Sequence, residues 1–283
     1  MFIHKSYIIE TLTNTHVGSG DTSFGTVDNL IQKDPVTSLP MFHSSSIKGA
    51  IKEHMENNKN AVISEADLNL IFGEREDKPG VVKFYDARLL TLPLRSTRRV
   101  SYQCTSPETV LDYLKTIETF KTARGLESLK KFFNDLKSEF GDKEFLVFND
   151  DANNEKYLEI EDYGENKKYP IADPSINGLV SQYMGVDINN LAVFTDEIFY
   201  RICKESLPVI ARNKIGDDGT SENLFYEEVL PRRSRLWFML GFDRNIPVNS
   251  QFETKLTFDL IQMGANASIG YGVTRIRLTG GGV

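Results

Sequence analysis

Residues 2–13 alternate apolar and polar positions and then break at Gly18, Gly20 and Gly25, which predicts a strand running into a long loop of small polar residues. From Ser44 the pattern changes. Ile47, Ala50, Ile51 and Met55 recur at helical spacing behind a serine N-cap, predicting an amphipathic helix with Lys48 and Lys52 on its flank. VVKFYDARLLTLPL (81–94) reads as a second strand, ended by Pro93 and the basic residues Arg95, Arg98 and Arg99. Residues 107–140 read as helical, and the acidic stretch after them as an exposed insertion. LPVIARNKI and LFYEEVL flank the polar tip GDDGTSEN, the pattern of a projecting hairpin. SRLWFMLGF, FETKLTFDLIQM and VTRIRLTG read as strands, the last following the glycine-rich segment GANASIGYG.

A strand, a helix, further strands with insertions and a closing strand pair are what a decorated ferredoxin-like α+β sheet produces. At 283 residues and 40% hydrophobic content the chain can bury a sizeable core. No apolar run approaches a bilayer span, so a cytoplasmic protein without a membrane partner is expected. The two cysteines, Cys104 and Cys203, match no metal-ligand spacing. A net charge of −7 speaks against a nucleic-acid partner until its distribution is examined. Residues 135–165 hold 11 acidic and 3 basic side chains, a local balance of −8, which leaves the remainder at about +1.

Two glycine-rich segments bracket the chain, and a serine-rich helix start follows the first, so these parts suit a cradle for phosphates of an RNA backbone. RNA carries its own nucleophile, the 2′-hydroxyl, and needs only a base, an acid or a metal-held charge near the phosphate. Asp28 beside the first glycines suits a metal-assisted role, and His16 a proton shuttle. Spacing alone also suits a turn-capping Asp28 and a satisfied loop histidine. Ser45, Ser46 and Lys48 read equally as an anion-binding helix start or as ordinary capping. GANASIGYG matches neither a P-loop nor a dinucleotide fingerprint. On the hairpin, Arg212 and Lys214 with Phe225 and Tyr226 suit a basic arm that tracks a backbone and parts its bases. Arg232, Arg233 and Arg235 read as solvated charges.

HVGSG, GTVDNLIQKD, the serine–lysine helix SSSIKGAIK, ARNKIGDDGTSENLFYEEVLP and IQMGANASIGYG, in this order, resemble the backbone RAMP subunits of type III-B CRISPR effector complexes. The resemblance spans the first strand to the last glycine loop and leaves mainly 107–177 uncovered. It implies a modified ferredoxin-like (RRM-like) palm over about 1–106 and 178–283, a helical and acidic insertion over about 107–177, and a thumb hairpin over about 207–231. It further implies copies stacked in a filament on one crRNA beside other subunits of the complex, each copy cutting paired single-stranded target RNA with a divalent metal, Mg2+ being the expected ion. The family's catalytic positions fall on Asp28, which is also the metal position, on His16 and on the acidic pair Glu227 and Glu228. Its RNA-binding positions fall on Lys48, Arg212, Gly270 and Gly272. Lys52 and Ala265 depart from the family pattern, standing where an arginine and a glycine are common. A non-catalytic architectural subunit and a stand-alone RAMP nuclease that processes guide precursor are the competing expectations.

Overall fold

The computed structural model describes residues 2–20, 26–57, 63–74, 78–120, 123, 126–148, 157–164, 166–171, 173–215, 220–246, 248 and 250–280. Gly25, the hairpin tip 216–219, residues 149–156 and 165 of the acidic stretch and the side chain of Lys214 lie outside this description.

The elements run β1 (Phe2–Thr11), β2 (Met41–Phe42), α1 (Ser44–Asn57), α2 (Glu65–Phe72), β3 (Gly73–Glu74), β4 (Lys78–Pro79), β5 (Val82–Phe84), β6 (Ala87–Arg95) and β7 (Ser101–Thr105). There follow α3 (Pro107–Thr119), α4 (Glu127–Glu139), β8 (Phe145–Phe148), β9 (Asn166–Tyr169), α5 (Ser175–Met184), β10 (Leu191–Phe194) and α6 (Asp196–Glu205). The chain closes with β11 (Val209–Ile215), β12 (Ser221–Glu228), β13 (Arg235–Asp243), α7 (Ser250–Phe258), β14 (Leu260–Gln262) and β15 (Val273–Leu278).

The fold is mixed α+β around a large central sheet ordered β14-β15-β1-β13-β6-β7-β10-β8-β9, with β2 on β6 and β5 on β13. Strand alternation sends side chains to two separate cores. Tyr7, Ile9, Leu236 and Phe238 enter one with α1, α2 and α7, while Ile8, Trp237 and Met239 enter the other with α3, α4 and α5. Because both faces are covered, β13 reads as a nearly continuous apolar run. β11 and β12 form their own two-stranded sheet away from this stack. No described helix is long and apolar enough to cross a membrane.

Three expectations need correction. FETKLTFDLIQM is not one strand: α7 covers its first part and β14 its end, because Phe252 and Leu256, four residues apart, both reach the core. Alternating polar residues there imitate a strand. The acidic stretch 135–165 is not wholly an exposed insertion, since β8 within it is fully buried between β10 and β9. The strand over 81–94 breaks between β5 and β6, and the break has a use: Asp86 Oδ1 accepts from the Ser44 backbone N–H at 2.7 Å, at the start of α1.

Candidate nucleic-acid interface

The first glycine segment doubles back on itself. Ser19 N donates to Leu30 O at 3.0 Å and Gln32 N to Val17 O at 2.9 Å, so residues 17–19 run beside 30–32. Gln32 is buried and ties this loop to α1, its Nε2 donating to Gly18 O and Ser46 Oγ, each at 3.1 Å, and its Oε1 accepting from His43 N at 2.7 Å. The start of α1 and Gly18 of the glycine segment are therefore joined through one side chain. Sequence reading missed Gln32, because nothing in a lone glutamine announces a three-way bridge.

The second glycine segment closes onto the first. Ala265 N donates to His16 O at 2.9 Å, and Gly272 N to Asn14 O at 2.9 Å. Gly264, at φ +83°, packs so closely that a Cβ there would stand 2.3 Å from the His16 carbonyl oxygen. Ala265 needs no left-handed backbone, which explains why alanine serves there. Gly270 ends the short turn Ala267–Ile269 in open space.

The base of the hairpin supplies the third side. Glu228 N donates to Asn29 O at 2.9 Å, and Thr15 and Leu230 exchange backbone hydrogen bonds of 2.9 Å each. Beneath this junction lies a buried charged cluster. His16 Nδ1 stands 2.7 Å from Glu228 O, and since a carbonyl can only accept, Nδ1 carries the proton. His16 Nε2 lies 3.8 Å from Glu227 Oε1. The Glu227 carboxylate also accepts from Asn266 Nδ2 at 2.9 Å and faces Arg212 Nη1 at 3.4 Å. Arg212 in turn lies over the Tyr271 ring, 5.1 Å from its centroid. Glu228 pairs with Lys33 at 2.7 Å and accepts from Ile31 N.

Asp28 occupies a different position from these buried groups. It is exposed, and its Oδ2 accepts from Tyr226 N at 2.7 Å while its own N–H donates to Tyr226 O at 3.0 Å. This latch fastens the loop to the hairpin and leaves the carboxylate at the surface. Val209, Leu224 and Tyr226 of the hairpin are likewise exposed.

The structure thus brings together His16, Asp28, Arg212, Glu227, Gly270 and Gly272, with Ser46 joined through Gln32. Ser45 is exposed beside it, and Lys48 has no carboxylate partner among the described residues. Lys52 lies one turn farther along α1 and faces Glu56 at 3.6 Å. The Asp86 carboxylate at the Ser44 N–H reduces the number of free donors at this helix start. Among the described residues no three His, Cys, Asp or Glu side chains cluster as metal ligands.

Comparison with known proteins places this arrangement in a family. The model of the RAMP superfamily matches residues 8–275. The CRISPR system Cmr endoribonuclease Cmr4 of Pyrococcus furiosus is 26% identical over 293 residues, covering 97% of this chain and 96% of the relative. A chain of a type III-B Cmr-β complex bound to cognate target RNA superposes with a TM-score of 0.74 at 22% identity, covering 97% of this chain and 96% of that one. Oligomeric Cmr4 from Pyrococcus furiosus gives a TM-score of 0.71 at 19% identity and covers 98% of each chain. At these identities the structural likeness speaks for the fold, and the sequence match for descent: the chain belongs to the RAMP superfamily.

Proposed function

We propose that this chain is a crRNA-binding backbone subunit of a type III-B CRISPR effector complex and an endoribonuclease that cuts target RNA paired to the guide. One observation carries the reading: the two glycine segments meet at His16, and the same junction holds an exposed Asp28 against the hairpin. The naming of the Pyrococcus furiosus relative as an endoribonuclease supports it.

The strand order β15-β1-β13-β6, with α1 and α7 as the crossing helices, is that of a ferredoxin-like split βαβ and supports the palm reading. The self-standing β11–β12 hairpin supports the thumb reading. Exposed Leu224 and Tyr226 suit contact with unstacked bases, while the cradle holds phosphates without reading sequence. Copies in register along one guide would then space their sites evenly, and each needs few cationic contacts of its own.

For cleavage, the 2′-hydroxyl of a splayed nucleotide attacks the adjacent phosphate and the 5′-oxygen leaves. We assign this step to Asp28, and the exposure of its carboxylate supports the assignment. His16 and Glu227, both buried, act as positioning residues that hold the loop and Arg212 in place. A divalent cation such as Mg2+ commonly binds through one carboxylate and the substrate's own phosphate oxygens, and Asp28 fits that role. When bound, such an ion would offset charge developing on the phosphate.

In a complex reconstituted with this chain, guide-complementary RNA should be cut at regular intervals, and EDTA should stop the cutting. Target that survives intact at saturating complex refutes the reading. Lys48→Glu should weaken guide binding and lower the slope of log affinity against log salt by about 0.7 or more, because at least one phosphate contact is lost. An unchanged slope would place Lys48 away from the RNA.

A further inference from the structure

Of the three arginines that lead into β13, Arg232 and Arg233 are exposed, as their sequence suggests, whereas Arg235 is buried. They sit in and after the turn formed by residues 231–234, where Arg232 N donates to Asn14 Oδ1 at 3.2 Å and Ser234 N to Thr11 Oγ1 at 3.0 Å. This turn is thereby tied to the strand end that leads to His16. Within it Arg233 stands at φ +71°, a left-handed conformation unfavourable for a residue with a side chain. Its side chain is exposed, and no carboxylate among the described residues pairs with it. Arg235 is only 9% exposed, its Nη2 held by Glu10 Oε1 at 2.9 Å and its Nη1 donating to Arg233 O at 3.4 Å.

Arg99 faces them from the connection between β6 and β7. It donates to Asn189 O at 2.8 Å and to Asn190 Oδ1, and lies over the Tyr102 ring at 5.3 Å. Arg99, Arg233 and Arg235 line one cavity of about 310 Å³ together with Gly185, Asp187 and Asn190. One oxygen of the Asp187 carboxylate there, Oδ1, caps the turn Ile188–Asn190 by accepting from Asn189 N at 2.9 Å and Asn189 Nδ2 at 3.0 Å. Directly against Gly185 lies a fourth guanidinium, that of Arg277, whose Nη2 is buried without a hydrogen-bond partner among the described residues. Burial pushes the Arg235 and Arg277 guanidinium groups below their ordinary range, and at Arg235 the neighbouring Arg277 and Arg233 add to it against Glu10.

Such a concentration of like charge around one space is relieved by an anion, and the planar fork of arginine matches phosphate oxygens. We propose that the cavity between Arg99, Arg233 and Arg235 is a phosphate-binding site, taking a phosphate of the RNA strand next to those in the glycine cradle. Asn14 connects the two places: its carbonyl accepts from Gly272 N in the cradle and its side chain from the N–H of Arg232, the residue before the cavity-lining Arg233. The strained backbone at Arg233 is consistent with a guanidinium kept for binding rather than for folding. This inference rests on the RNA-holding reading above, and free phosphate has the chemistry to occupy the same cavity.

Arg233→Gly tests it, because glycine accepts the left-handed backbone while the charge is removed. The full chain would be titrated with fluorescent single-stranded RNA across salt concentrations, and separately its melting temperature followed with inorganic phosphate. Arg233→Gly should melt no lower than the parent, bind RNA several-fold more weakly and show a salt slope smaller by about 0.7, with Arg233→Lys recovering most of the slope. An unchanged RNA slope with loss of phosphate-induced stabilisation would support a site for free phosphate. If neither the slope nor the phosphate response moves, the cavity is not a phosphate site. Lys48→Glu, run in parallel, separates the two failures: a response there alone sinks only the cavity, whereas failure of the parent chain to bind RNA sinks the RNA reading and leaves the phosphate titration to decide the cavity.

Discussion

Asp28→Ala in an assembled complex should reduce target cleavage about 10²- to 10⁴-fold while guide and target binding persist. The side chain has two separable duties, a charge at the surface and an acceptor for Tyr226 N at 2.7 Å. Asp28→Asn separates them. Its amide oxygen keeps the latch between loop and hairpin, so the hairpin should stay in place, yet the negative charge is gone. Single-turnover cleavage by both variants, with binding measured alongside, gives the answer. Normal cutting by the asparagine variant would make the carboxylate a structural acceptor and leave the chemistry to another group.

The second large effect is expected at Gly264. A methyl group there would meet the His16 carbonyl oxygen at 2.3 Å, and the φ of +83° already disfavours any side chain. Gly264→Ala should therefore part the two glycine segments and break the hydrogen bond from Ala265 N to His16 O. Backbone strain alone is worth about 1–3 kcal/mol, and a melting temperature lower by roughly 3–10 °C is the expected reading. Gly270→Ala is the control. Its φ of +81° is equally left-handed, but nothing lies within 4 Å of the added carbon, so it should lose stability without displacing His16. A melting temperature that falls equally in both variants would show that backbone strain, not the meeting of the loops, sets the loss of stability.

Local pattern carried β1, α1 and β15 well, since each has a period that only one regular structure satisfies against a core. It failed where two periods coincide. Phe252 and Leu256 fit a helix face, yet the polar residues between them alternate as a strand would, and only packing against the sheet selects α7. It failed again at β8, where an acidic neighbourhood concealed four apolar residues that complete the sheet between β10 and β9. Charge averaged over thirty residues says little about four of them.

At the candidate site the residue types were legible, and most of their relations were not. His16, Asp28, Glu227 and the glycines stand out in sequence, but their spacing does not say which are buried. Gln32, Asn266 and Asp86 were invisible because each works through a partner far away in the chain. Sequence by itself determined the kinds of element, their order and the family resemblance, because these depend on local periodicity and on motifs read in line. Tertiary structure alone decided that Asp28 faces solvent while His16 and Glu227 are buried, and that Arg233 and Arg235 meet Arg99 across a cavity. Burial and charge proximity belong to contacts between distant segments, and those exist only once the sheet has brought the segments together.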